Sequence, residues 1–268
     1  MATWQPDPSF YPSPRQAAKA PAETLAYVAA FDPGRTKPDA IAVVDLDPSS
    51  SSYAKIVGTT AMQNAGDEFH HFGWNACSSC LCPNAPHPHV ERRYLVVPGL
   101  RSSRIYILDT KPDPRAPKVV KVIEPAEIAE KTGYTRPHTV HCGPGGIYVT
   151  ALGNREGKAP GGIFVMDHES FEPLGRWEVE RGPQQLAYDG WWHLGYDTLV
   201  TSEWGTPDTF ENGLRCCSAA DMAGGCISGT SPNVGTCRRS TSARSISSCS
   251  SCAPRTIPPR LTDSSTAW

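Results

Sequence analysis

"IAVVDLDPSSSSYAKIVGTT" (residues 41–60), "IYILDTKPDPRAPKVVKVIEP" (105–125) and "IFVMDHESFEPLGRWEVE" (163–180) begin alike. Each is a short apolar strand closed by an aspartate (Asp45, Asp109, Asp167), followed by a turn with Pro, Ser or Glu and a second strand of alternating apolar residues. The unit reads as a repeated hairpin. Further strand candidates lie between the copies, "ERRYLVVPG" (91–99), "GGIYVTALG" (145–153) and "YDTLVTSEWG" (196–205). A period of about sixty residues then holds roughly four strands, the content of a propeller blade with insertions. Helical signal is scarce and is best at "PAEIAEKTG" (125–133), with Pro at the start, acids in the first turn and Gly at the end. The pattern predicts an all-β chain, a partial β-propeller. An α/β fold would need a helix after each strand, and a sandwich does not account for the repeated apolar-strand-then-Asp unit.

Outward from these repeats, 268 residues with 39% hydrophobic and 19% charged residues describe a globular chain. Apolar runs are too short for a spanning helix, and "MATWQPDPSFYPSP" has neither a basic start nor an apolar stretch, so no membrane insertion and a cytoplasmic location are expected. A net charge of -2 with both signs mixed along the chain provides no basic stripe for nucleic acid.

Ten cysteines are divided unevenly: Cys77, Cys80, Cys82 and Cys142 lie in the first 214 residues and six in the last 54. Past Leu214 there are twelve Ser and six Arg but no Lys, Glu, Phe or Tyr, and no hydrophobic periodicity. The genetic code offers a reason. Met222 is ATG, so regrouping codons across Asp221, Met222 and Ala223 forces Tyr-Gly or His-Gly, and permitted codon choices regroup this region to "YGRRLHLWDL". Residues 1–24 therefore read as an N-terminal arm, 25–214 as the blades of an incomplete ring, and 215–268 as a frame-shifted, disordered tail without regular strands.

Two stretches carry metal-ligand chemistry. "EFHHFGWNACSSC" (68–80) holds His70, His71, Cys77 and Cys80, and "RPHTVHCGPGG" (136–146) holds His138 and His141. Imidazole suits Cu, Zn, Fe and Ni, while thiolate moves the preference toward soft ions such as Cu(I). Against a four-histidine site stands the alternation of side chains along a strand, which lets only one of His70 and His71 face a given centre. The C-x-x-C pair lacks the following helix of a redox motif and, with Cys82, lacks a second pair at zinc-ribbon spacing; reduced loop cysteines are the plain reading. In "TSEWGTPDTFENG" (201–213), Glu203 is a candidate for proton transfer, with turn capping as the alternative.

"DEFHHFGWNACSSC", "LVVPGLRSSRIYILDT", "PRAPKVVKVIEP", "RPHTVHC" and "VTSEWGTPDTFENGL" together resemble the selenium-binding protein family, also known as the methanethiol oxidase family, most closely its bacterial members. The resemblance runs from about residue 10 to 214, and the regrouped tail resembles the family's continuation. It implies a seven-bladed propeller and copper-dependent oxidation of a small thiol, methanethiol, by O2 and water to formaldehyde, hydrogen peroxide and hydrogen sulfide. It also implies selenium binding. The family's histidine motifs fall on His70, His71, His138 and His141, and its C-x-x-C, as a thiol or selenium pair, on Cys77 and Cys80. Two departures stand out: Ala54 occupies the strand where animal members carry a selenium-associated cysteine, and the second half of the propeller, with a later metal histidine, is missing. As a truncated product the chain is expected to be inactive. The alternative is a non-enzymatic propeller that binds selenium species or protein partners.

Overall fold

The computed structural model describes residues 7–11, 13–76, 88–143, 145–193, 198–212, 226–230 and 238–239. They form four antiparallel sheets, each a meander of strands consecutive in the chain. The first holds β1 (Leu25–Ala30), β2 (Pro38–Asp45) and β3 (Ile56–Ala65); the second β4 (Gly73–Trp74), β5 (Tyr94–Pro98), β6 (Ile105–Asp109) and β7 (Lys118–Ile123). The third holds β8 (Tyr134–Gly143), β9 (Gly146–Asn154), β10 (Gly162–Met166) and β11 (Pro173–Arg176); the fourth β12 (Asp189–His193), β13 (Thr198–Ser202), β14 (Cys226–Thr230) and β15 (Arg238–Arg239). This is the partial, all-β propeller arrangement that the repeats predict. Helices are few and short: α1 (Pro14–Ala17), α2 (Pro125–Thr132) and α3 (Pro207–Asn212). No helix among the described residues is long and apolar enough to cross a membrane.

The repeated hairpins are β2–β3, β6–β7 and β10–β11, and the aspartate does the same work in each. Asp45 accepts the amide of Asp47 at 2.9 Å, Asp109 that of Lys111 at 3.0 Å, and Asp167 that of Glu169 at 3.0 Å. A carboxylate bonded to the amide two residues on substitutes for a backbone turn contact and starts the reversal. The register then slips by one residue at the same place in every copy, between Val43 and Val44, Ile107 and Leu108, and Val165 and Met166. Each slip is a β-bulge whose extra residue sits on the returning strand, and it leaves Val120 and Leu174 more than half exposed despite their apolar side chains.

Packing between sheets follows from strand alternation. On β6, Ile105 and Ile107 enter a core shared with the third sheet, while Tyr106 and Leu108 enter one shared with the first. On β10, Phe164 and Met166 face the second sheet, and Ile163 and Val165 join Ala187 and Leu199 of the fourth. The inner sheets are thus covered on both faces, which is why their strands read as unbroken apolar runs. Helix α2 adds Ile128 to the same core; Pro125 opens it and Gly133, at φ 73°, closes it in the left-handed conformation.

Two pieces of the segment past Leu214 correct the expectation of a tail without strands. β14 pairs with β13, and β15 with β14. The free edge of β13 presents unpaired backbone groups, and "CISGT" contains the β-branched Ile227 and Thr230 that suit an extended partner.

Asp109 is 6% exposed and faces Arg93 through both oxygens, at 2.7 and 2.5 Å. Its hydrogen bond from Arg93 holds its carboxyl below the ordinary value, against the opposing effect of burial. Asp109→Asn keeps the turn-forming oxygen but loses the charge, and it should be about 1–2 kcal/mol less stable than the parent at pH 7 in urea melts. Because the folded pKa is depressed, this stabilisation is complete above the unfolded value of about 4 and is lost as pH falls through the folded one. The stability gap should therefore close in acid; a gap independent of pH would contradict the assignment.

Candidate metal centre

β4, β8 and β12, the first strands of successive sheets, lie side by side, and His138 rides on β8. His70 and His71 belong to the irregular segment that leads into β4, where Phe69 forms an isolated bridge to Gly99. Glu68 just before them is left-handed, at φ 58°. The alternation rule therefore does not govern this pair, and both imidazoles reach one place, a correction to the strand-based objection. Gly73 permits the approach to β8: a side chain there would meet the carbonyl of Val140 at 2.5 Å. The Val140 amide in turn donates to the carbonyl of His71 at 3.1 Å.

On β8 the register slips between Pro137 and Val140, so His138 and Thr139 both stand opposite Thr150 in β9. This bulge brings the His138 ring and the Thr139 hydroxyl to the same acceptor, the carbonyl of Tyr188, at 3.0 and 2.8 Å. His70, His71 and His138 each present a ligand atom within 4.8 Å of the others. Ring centroids of His138 lie 5.0 Å from His70 and 4.6 Å from His71. Tyr188 tilts over His138 at 4.3 Å and Phe31 stacks on His70 at 6.1 Å, which walls the group with aromatic rings.

His138 is fully buried, and its Nε2 has no hydrogen-bond partner. Burial first, then the neighbouring His70 and His71, pushes its pKa down to about 3. Burial likewise lowers His71, reinforced by His70 and opposed by Asp189. A neutral imidazole with an orphaned, buried nitrogen beside two others is a donor set that fits a metal ion of the Cu, Zn, Fe or Ni group. His71 is 42% exposed at its side chain, which leaves the centre open on one side.

Among the described residues, the other expected residues are not members of this group. His141 is outside the three-membered group; its Nε2 lies 2.9 Å from Asp189 Oδ1, and Asp189 Oδ2 is 4.0 Å from His71 Nδ1. Burial works to raise the Asp189 pKa, but hydrogen bonds from His141 and the Gly190 amide hold it below the ordinary value. The Glu203 carboxylate accepts the amides of Gln185 and Leu186 at 2.7 and 2.9 Å, the turn-capping alternative. Cys77 and Cys80 lie outside the described residues. Cys142 is disulfide-bonded. Sequence reasoning missed Thr139, Tyr188 and Asp189; the signal for them is position, at the heads of the third and fourth sheets, which appears only once strands are counted into sheets.

Comparison with known proteins places these motifs. The family model described as the 56 kDa selenium binding protein matches residues 4–228. "Selenium-binding protein 2" of Arabidopsis thaliana is 43% identical over 214 residues, covering 79% of this chain and 43% of its own. "Methanethiol oxidase" of Xenopus laevis is 41% identical over 208 residues, covering 76% of this chain and 43% of its own. The X-ray structure of a hypothetical selenium-binding protein from Sulfolobus tokodaii is 58% identical, with a TM-score of 0.78 over 83% of this chain and 49% of that one. The chain spans less than half the length of these relatives.

An NMR titration should find the His138 imidazole neutral down to about pH 4, with a midpoint near 3. An ordinary midpoint near 6.5 would contradict the buried, partner-fixed ring described above.

Proposed function

The chain belongs to the 56 kDa selenium binding protein family, and from that premise we propose that His70, His71 and His138 form a copper centre for oxidation of a small thiol. The supporting observation is the set of three imidazoles within 4.8 Å, one of them with a buried and unpartnered nitrogen. The reaction is that of the relatives named methanethiol oxidase: methanethiol, O2 and water become formaldehyde, hydrogen peroxide and hydrogen sulfide. Bound copper would supply a soft acceptor for the thiolate sulfur and a route for electrons to O2.

This chain's residues supply the setting. His138 stays neutral because it is buried, so its nitrogen does not need to lose a proton before it binds. Tyr188 and Phe31 lie against the His138 and His70 rings, and Trp204 is 5.2 Å from Tyr188, so aromatic surface borders one side of the group. His141 Nε2 and Asp189 Oδ1 form a hydrogen-bonded pair beside His71, and a proton released by a thiol can be held there. Cys77 and Cys80 are proposed as the thiol or selenium pair.

Activity belongs to the length of the relatives, of which this chain covers 43%. We take residues 215–268 as the product of a shifted reading frame and the chain as inactive. A propeller buries each blade between two neighbours, whereas here Val28 and Ile56 of the first sheet are 45% and 65% exposed. Resequencing around codon 215 tests the frame. A version with the frame restored after Leu214 should bind one copper and release peroxide and sulfide from methanethiol. His138→Ala in that version should lower copper affinity at least 100-fold and abolish peroxide. Full copper binding by the variant would overturn the site, and a copper-free parent that still takes up selenite would favour the binding-protein reading.

A further inference from the structure

Three imidazoles near one point can hold an ion only if each turns a lone pair toward it, and the hydrogen bonds behind the rings fix which nitrogen that is. On the reading of His70, His71 and His138 as a metal centre, we propose that Thr139 and Glu68 are positioning residues that lock the three rings in unlike tautomers, so that His71 and His138 bind through Nε2 and His70 binds through Nδ1.

The assignment follows from counting protons. The Tyr188 carbonyl is an acceptor only, and His138 Nδ1 lies 3.0 Å from it, so His138 carries its proton on Nδ1. That leaves the lone pair on Nε2, the buried atom without a partner. The Thr139 hydroxyl, 3% exposed, has a single proton; His138 Nδ1, 2.9 Å from it, already carries one, so the shortest acceptor left is the same carbonyl at 2.8 Å, which Thr150 Oγ1 also reaches at 2.9 Å. Toward His71 Nδ1, 3.1 Å away, the Thr139 oxygen can then only accept, and the His71 proton is on Nδ1 as well. Asp189 Oδ2, 4.0 Å from the same nitrogen, favours a proton there independently. The Thr139 oxygen thus lies against two rings, 3.1 Å from His71 Nδ1 and 2.9 Å from His138 Nδ1, and the bulge that sets His138 and Thr139 side by side is what permits it.

His70 is governed from the opposite side. Its Nε2 lies 3.2 Å from Glu68 Oε1, and the other Glu68 oxygen is paired with the Arg101 guanidinium. An ionised carboxylate accepts only, so the proton is on Nε2 and Nδ1 is left for the ion. The left-handed backbone at Glu68, tied through its amide to Asp39 Oδ2 at 2.5 Å, aims this carboxylate back at the ring two residues on.

The test is a two-bond 1H–15N correlation spectrum of the full 15N-labelled chain at pH 8, first without metal and then with one equivalent of Zn(II) as a diamagnetic probe. Without metal, His71 and His138 should carry the proton on Nδ1 and His70 on Nε2; any other tautomer at one of these rings overturns the proposal, whether or not the protein binds metal. With zinc, the Nε2 resonances of His71 and His138 and the Nδ1 resonance of His70 should shift. If the tautomers are as stated but zinc shifts none of them, the metal centre is lost while the locking stands. Thr139→Val, close in shape but without the hydroxyl, should release His71 into a mixture of tautomers and weaken zinc binding about 10- to 100-fold, with Thr139→Ser restoring both. Unchanged tautomer and affinity in Thr139→Val would remove Thr139 from the role. Should the valine variant fail to fold, the parent spectrum alone still decides.

Discussion

The carbonyl of Tyr188 joins two sheets at the point where the site is built. It receives the Nδ1 proton of His138 and the hydroxyls of Thr139 and Thr150, at 3.0, 2.8 and 2.9 Å. All three donors come from the third sheet, and the acceptor immediately precedes β12 of the fourth. Because buried backbone groups must be paired, this contact sets how closely the two inner strands approach. The same contact orients His138. The Val140 amide, bonded to the His71 carbonyl, does the equivalent between the second and third sheets.

Those contacts hold because sheets packed face to face cannot slide. Ile105, Tyr106, Ile107 and Leu108 are fully buried and point alternately into two cores, and each contributes about 2 kcal/mol by leaving water. A slip of one residue would exchange the two faces of β6 and carry Tyr106 away from Asp67, to which its hydroxyl donates at 2.8 Å. The repeated aspartates define where each hairpin turns, and therefore where this register begins.

Much of the scaffold could be read from residues alone, since an apolar run ended by Asp and followed by a turn is a local pattern with a local cause. The limits of α2 were readable for the same reason, through Pro125 and Gly133. The bulge at His138 and Thr139 was not, because it arises from pairing with β9 rather than from the residues themselves. The shared reach of His70 and His71 depends on a left-handed residue at Glu68, a conformation that sequence does not announce for glutamate. Asp189 is an acid among many until β12 is set beside β8. The strands of Cys226–Thr230 and Arg238–Arg239 were missed because an open sheet edge accepts any extended partner, whatever its periodicity.

On the proposed reading, β8 and the irregular segment that leads into β4 bring His70, His71 and His138 to one metal ion. Anomalous scattering at the copper edge from crystals of the copper-loaded protein tests it most directly. A single peak within bonding distance of all three imidazoles is the predicted result, and a peak at Cys77 and Cys80 with none at the histidines would contradict it.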